Sequence, residues 1–197
     1  ILEDKKILFD EMFHSIVLFE GEHPLDQLIN QLKDKKSLDK VPNLIYVKNG
    51  EVVRNTSAKA LSYDQLACPN FDDLPLNKYL MPYPVLPYMA SRGCYWGKCT
   101  FCTHSFIYDS HYRKENEERV AEELDYLGKR YKTKYFTFSD EAISPNAFDR
   151  MSKAILSQGV EMRALGMLKF ESDSIETVEL FKNMYKAGFL MLFFGLE

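Results

Sequence analysis

Apolar positions in the second half of the chain alternate between a period of two and a period near 3.6. Residues 85–91 form a short apolar run that predicts a strand. Residues 118–131 set Val120, Leu124, Leu127 and Tyr131 on one helical face, and 135–139 predict a second strand. Ser144-Pro145 supplies a cap and a first helical position for a helix carrying Phe148, Met151 and Ile155, and Gly159 ends it. Residues 162–168 predict a third strand. Asp173 with Glu176 reads as a capping box before a helix whose apolar face is Val178, Phe181 and Tyr185, closed by Gly188. Residues 190–195 predict a fourth strand, and the apolar run around Phe189 to Phe194 reads as buried. Strand–helix alternation of this kind implies a parallel sheet with helical crossovers, as a partial barrel or as an open doubly wound sheet.

The first region is patterned less regularly. Residues 15–19 predict a short buried strand. Pro24 suits a first helical position, with Leu25, Leu28, Ile29 and Leu32 following on one face. Residues 44–48 and 51–54 are strand-like runs separated by Asn49-Gly50, the strongest short hairpin signal, because both turn residues tolerate positive φ. Between the regions, Pro69, Pro75, Pro82, Pro84 and Pro87 predict an extended, irregular connection. The predicted division is therefore 1–60, a linker at 61–84, and 85–197.

Composition narrows the function classes. Of 197 residues, 46% are hydrophobic and 14% aromatic, ample for a packed core, and the formal charge of −4 carries no basic excess. No nucleic-acid partner is indicated. No apolar run reaches membrane-spanning length, and the opening Ile1-Leu-Glu-Asp-Lys-Lys lacks the form of a secretion signal. A cytoplasmic location follows as the expectation. The chain starts without Met and ends just past a strand-like run, so it reads as part of a longer protein.

The chemistry lies in Arg92-Gly93-Cys94-Tyr95-Trp96-Gly97-Lys98-Cys99-Thr100-Phe101-Cys102. Three thiols within nine residues are too close together to staple a fold of this size, which favours metal binding over disulfides. Cys99 and Cys102 can serve one centre from a tight turn, and Cys94 can join them if Gly93 and Gly97 let the loop wrap. Three ligands on a four-iron cluster leave one iron open. The alternatives are a structural zinc site completed by Cys68 or a histidine such as His104, and three inert thiols. The other polar residues fall where a parallel barrel carries its function, at the carboxyl ends of strands. Asp140-Glu141 follows the second strand, Lys169 and Glu171 the third, and Glu197 the fourth.

This loop resembles the cluster loop of radical S-adenosylmethionine (SAM) enzymes. The wider run from Asn70-Phe71-Asp72-Asp73-Leu74-Pro75-Leu76 through Ser91-Arg92-Gly93-Cys94 is similar to the branch with an N-terminal cobalamin-binding domain. The usual spacing there puts three residues between the first two cysteines; this sequence has four. The resemblance implies an α/β chain: the end of a Rossmann-like cobalamin-binding domain, then part of a six-stranded TIM-like (β/α)6 barrel. It implies a [4Fe-4S] cluster on Cys94, Cys99 and Cys102, with SAM on the open iron. Phe101 matches a position packing near the adenine, and Asp140 or Glu141 the segment that accepts from the methionyl amino group. Glu197 matches a ribose contact, and Lys169 a partner for the SAM carboxylate. The implied reaction is reductive cleavage of SAM to a 5′-deoxyadenosyl radical, linked to cobalamin-dependent methyl transfer, with methylthio transfer as a second enzymatic reading. A zinc-stabilised binding module is the competing class. An electron donor such as flavodoxin or ferredoxin is the implied partner, and the substrate, a small molecule or a peptide, is not readable. Most of the cobalamin site would lie outside the chain. Asp109-Ser110-His111 begins like a cobalt-ligating motif, but Lys114 stands where that motif needs Gly.

Overall fold

The structure, a computed structural model, describes residues 13–103, 112–169 and 177–195. Contacts divide the chain into two units, Ile1–Leu61 and Ser62–Glu197.

The first unit is built on an antiparallel sheet of β1 (Ser15–Val17), β2 (Leu44–Lys48) and β3 (Glu51–Arg54), in that order. The hairpin forms where Asn49-Gly50 placed it, pairing Lys48 with Glu51, and both turn residues have positive φ. Helix α1 (Glu22–Lys33) differs from expectation in two ways. Pro24 occupies its third position, still in the first turn, where its missing N–H costs nothing. Only Pro24 and Leu28 are buried, whereas Leu25, Ile29 and Leu32 are exposed. The small cluster of Leu28, Val41, Leu44 and Tyr46 has room for a narrow stripe of the helix. The strands described here are all antiparallel, so a parallel Rossmann pairing is not among them.

The second unit holds a parallel sheet of β4 (Val85–Tyr88), β7 (Tyr135–Phe138), β8 (Arg163–Lys169) and β9 (Phe189–Gly195), neighbours in chain order. A two-stranded ribbon joins β5 (Ser91–Arg92) to β6 (Arg113–Lys114). The crossover helices are α2 (Glu117–Tyr131), α3 (Pro145–Ser157) and α4 (Thr177–Ala187). Helix α2 packs on α3 and α3 on α4, so all three lie in one layer. Sequential strand order with the helices side by side is the singly wound arrangement. A doubly wound sheet would reverse its order and divide its helices between two faces.

Period-two alternation sorts the strand residues. Leu86, Tyr88, Phe136, Phe138, Ala164 and Leu168 point into the helical layer, where they meet Leu124, Phe148, Met151 and Ile155. Each fully buried side chain of this size contributes about 1.5–3 kcal/mol. The other face, with Pro87, Thr137, Leu165, Met167, Met191 and Phe193, has no such cover among the described residues; Met167, Met191 and Phe193 are exposed. The strand expected to be buried, β9, is thus an edge strand, with Leu190 and Phe194 exposed as well. Pro87 is tolerated because β4 is the opposite edge.

Ser144 caps its helix as expected, and Asn116 is a cap the sequence reading did not name. Asn116 accepts from the Glu118 and Arg119 amides at 3.0 and 3.1 Å, and Ser144 from Ala147 at 3.4 Å. Helix α4 turns a different face inward. Leu180, Met184 and Ala187 are buried and Phe181 partly so, but Val178 and Tyr185 are exposed. Both stripes have helical spacing, and packing on α3 selects between them. The capping-box residues Asp173 and Glu176 lie outside the described residues. The stretch predicted as a linker is irregular yet anchored. The Phe71 amide donates to Tyr131 at 2.7 Å, Asp72 pairs with Arg130, and Phe71 joins the core.

Candidate functional site

The carboxyl ends of the parallel strands gather three of the segments singled out in the sequence. The cysteine loop leaves the sheet through β4 and β5. It wraps with positive φ at Gly93 and Gly97, 79° and 59°, a region side chains beyond glycine rarely adopt. Cys94 forms a backbone bridge with Ala142, which sets it beside Glu141. The Cys102 amide closes a turn on the Cys99 carbonyl at 3.2 Å. Cys94, Cys99 and Cys102 are half-buried, and none of the four cysteines is in a disulfide.

Lys169, at the end of β8, completes the group. Its Nζ stands 4.1 Å from the centroid of the Trp96 ring, and Lys98 Nζ stands 4.9 Å from it. Both lie within the reach of a cation–π interaction. The four-residue stretch between Cys94 and Cys99 is therefore fastened to β8 through its tryptophan. Phe101, between the last two cysteines, is 71% exposed.

Asp140 behaves differently from its neighbour. It is 2% exposed, and Oδ1 accepts from the Ser91 amide at 2.5 Å and the Ser91 hydroxyl at 2.6 Å, while Oδ2 accepts from the Ala90 amide at 3.2 Å. Burial pushes its carboxyl up to about 7, outweighing the three donors that favour the charged form. Strand alternation explains the placement. Asp140 continues the series of Phe136 and Phe138 towards the helical layer, whereas Glu141 continues that of Tyr135 and Thr137 on the uncovered face. Of the pair left open by the sequence, Asp140 has its oxygens engaged by the chain itself.

Two features were missed in the sequence. The Asp140–Ser91 contact follows from register once β4 and β7 are paired: Tyr88 lies opposite Phe138, which carries Ala90 and Ser91 to Asp140. The second is a polar network between β4, α2 and residues 63–66. Tyr88 donates to Glu123 at 2.9 Å; Arg119 binds Glu123 at 3.0 Å and Glu115 at 3.3 Å and donates to the carbonyls of Tyr63 and Leu66 at 3.2 and 2.6 Å. Cys68 packs against the core nearby, and burial first, then the Glu123 charge, pushes its thiol up to about 11. Without a metal beside it, it stays a protonated, partly buried apolar side chain.

Among the described residues no group of three or more His, Cys, Asp or Glu gathers about a point where one metal ion could be held. The donor chemistry available on this glycine-jointed loop is three uncrosslinked thiols, the ligand type a [4Fe-4S] cluster takes. His104, His111, Glu171 and Glu197 lie outside the described residues. No helix among the described residues is long and apolar enough to cross a membrane.

No family model matches the chain. An uncharacterized methyltransferase of Pyrococcus horikoshii is 30% identical over 191 residues, covering 93% of this chain and 40% of that protein. The 4′-phospho-dehydrooxetanocin synthase of Priestia megaterium is 31% identical over 121 residues, 59% of this chain and 16% of that protein. The chain thus spans less than half the length of either. Among solved structures, the cobalamin-dependent SAM radical enzyme OxsB with aqua-cobalamin and SAM bound matches 98% of this chain and 29% of its own, with a TM-score of 0.79 and 22% identity. The radical SAM methyltransferase TsrM of Kitasatospora setae, with cobalamin and a [4Fe-4S] cluster bound, matches 93% of this chain and 38% of its own, with a TM-score of 0.64 and 13% identity. In its fold over nearly the whole length, the chain resembles these cobalamin-dependent radical SAM enzymes.

Proposed function

We propose that the chain carries the cluster loop of a radical SAM enzyme, in which Cys94, Cys99 and Cys102 hold a [4Fe-4S] cluster. The observation behind this reading is the convergence of that loop with Glu141 and Lys169 at one rim of the parallel sheet. Three thiolates leave one iron for the amino and carboxylate groups of SAM. When bound, the cluster supplies one electron that cleaves a carbon–sulfur bond of SAM, giving methionine and a 5′-deoxyadenosyl radical. The chain's own part is placement. Glu141 would accept from the methionyl amino group, Lys169 would face the carboxylate, Phe101 would cover the adenine, and Glu197 would contact the ribose.

The sheet is read as four strands of a six-stranded barrel. A parallel sheet is normally covered on both faces, and the uncovered apolar face of Leu165, Met167, Met191 and Phe193 is what a closed barrel would enclose. The first unit is read as the end of a cobalamin-binding domain, and the reaction as cobalamin-linked methyl transfer, in keeping with the methyltransferase names of two proteins it resembles. An electron donor such as flavodoxin or ferredoxin would serve the cluster.

Anaerobic reconstitution with iron and sulfide tests the cluster. The expected product is brown, absorbs broadly near about 400 nm and holds about four iron per chain. Substituting Cys94, Cys99 or Cys102 with Ala should each abolish it, while Cys68→Ala should not. Tight one-to-one zinc with no iron uptake would instead establish a zinc module.

A further inference from the structure

Asp140 stands at the carboxyl end of a strand, where a contact by it or by Glu141 was expected, and the chain itself engages its oxygens. It is almost fully buried, and its two oxygens are spread over the Ala90 amide, the Ser91 amide and the Ser91 hydroxyl. Ser91, itself 1% exposed, lies three residues before Cys94. The same backbone is tied twice more: the Glu115 amide donates to the Ala90 carbonyl at 2.8 Å, and Ser91 pairs with Lys114 in the β5–β6 ribbon. Beyond Asp140 the chain runs through Glu141 to Ala142, which bridges Cys94. One short segment after β7 therefore grips the cysteine loop at its root and again at the backbone of its first cysteine.

We infer that Asp140 is a positioning residue: through Ala90 and Ser91 it fixes the launch of the loop bearing Cys94, Cys99 and Cys102, and it makes no contact with SAM. The inference rests on the cluster-binding reading above, but its root, a carboxyl clamp on the loop, exists without any bound group. Side chains that orient the ligands of a metal centre commonly alter metal affinity on the order of 10–100-fold when removed.

The test uses the full 197-residue chain with Asp140→Ala, Asp140→Asn and Ser91→Ala. In the protein without iron, hydrogen exchange at the Ala90 and Ser91 amides should be faster in both Asp140 variants, as should alkylation of Cys94. Ser91→Ala loses only the hydroxyl contact and should show a smaller effect. On reconstitution, iron affinity should fall on the order of tenfold in the Asp140 variants. In whatever cluster does form, SAM should perturb the reduced spectrum as it does in the unsubstituted chain. If Asp140→Ala fails to fold, Asp140→Asn, which keeps the volume but sets an amide against the Ala90 and Ser91 donors, carries the same comparison. Unchanged exchange and thiol reactivity would overturn the inference, as would full iron loading with loss of SAM binding, the signature of a direct ligand contact. Should the unsubstituted chain take up no iron, the cluster reading fails, while the exchange and alkylation measurements still decide whether Asp140 holds the loop.

Discussion

At the scale of single residues, the site depends on a few side chains whose surroundings contradict their simplest reading. Asp140 is the clearest case. Its carboxyl is raised from 3.8 in the unfolded chain to about 7, so the folded protein binds the extra proton between those values. Stability contributed by the protonated form is full below about pH 4 and is lost as pH rises through about 7. Denaturant titrations at pH 5 and pH 8 should show a loss at the higher pH on the order of 2 kcal/mol from this group, and Asp140→Asn should flatten that dependence. An unaltered pH slope in the variant would place the titration elsewhere. Gly188 is a second exacting position. It has a φ of 107°, and a Cβ there would lie 2.1 Å from the Met162 carbonyl oxygen. Gly188→Ala should destabilise the chain by about 3 kcal/mol or more, read as a lowered denaturant midpoint. The sequence marked Gly188 as a helix stop and Asp140 as polar at a strand end. The sequence pattern by itself could not show that a carbonyl crowds the first or that serine donors enclose the second, since both depend on the neighbouring strand.

At the scale of elements, much was legible because local signals agreed with the tertiary fold. The hairpin at Asn49-Gly50, the Ser144-Pro145 start of α3 and the Gly159 and Gly188 stops all stand where their turn and cap chemistry put them. Which face an element buries was less legible. In α4 two stripes share helical spacing, and contact with α3 chose Leu180 and Met184 over Val178 and Tyr185. In α1 three of four stripe residues stayed exposed because the sheet beneath is small. The proline-rich stretch after Leu61 reads as a linker, but Arg119 holds its start through the Tyr63 and Leu66 carbonyls. Arg119→Met should free residues 62–66 and leave Glu115, whose side chain is 5% exposed, without its cation. A loss of about 2–4 kcal/mol is expected, together with faster limited proteolysis within 62–84. Protease resistance equal to that of the unsubstituted chain would show that the network does not anchor the segment.

At the scale of the whole chain, the uncovered sheet face separates the barrel reading from a finished α/β layer. Met191→Lys and Phe193→Lys should cost this chain less than about 0.5 kcal/mol each, since both side chains are exposed. The same substitutions should disable a longer protein in which a barrel closes over them. Equal tolerance in both would remove the barrel from the account. With that face uncovered among the described residues, the 197-residue chain alone is not expected to cleave SAM at a detectable rate. Binding at the cluster is a separate matter, because the cysteine loop, Glu141 and Lys169 are all carried by this chain. The most direct measurement is low-temperature electron paramagnetic resonance of the anaerobically reconstituted, chemically reduced chain, recorded with and without SAM. A cluster held by three thiolates should give a reduced-cluster spectrum whose line positions move when SAM occupies the remaining iron. A spectrum indifferent to SAM, or no cluster signal from a chain that instead retains a saturated single-metal site, would contradict the account.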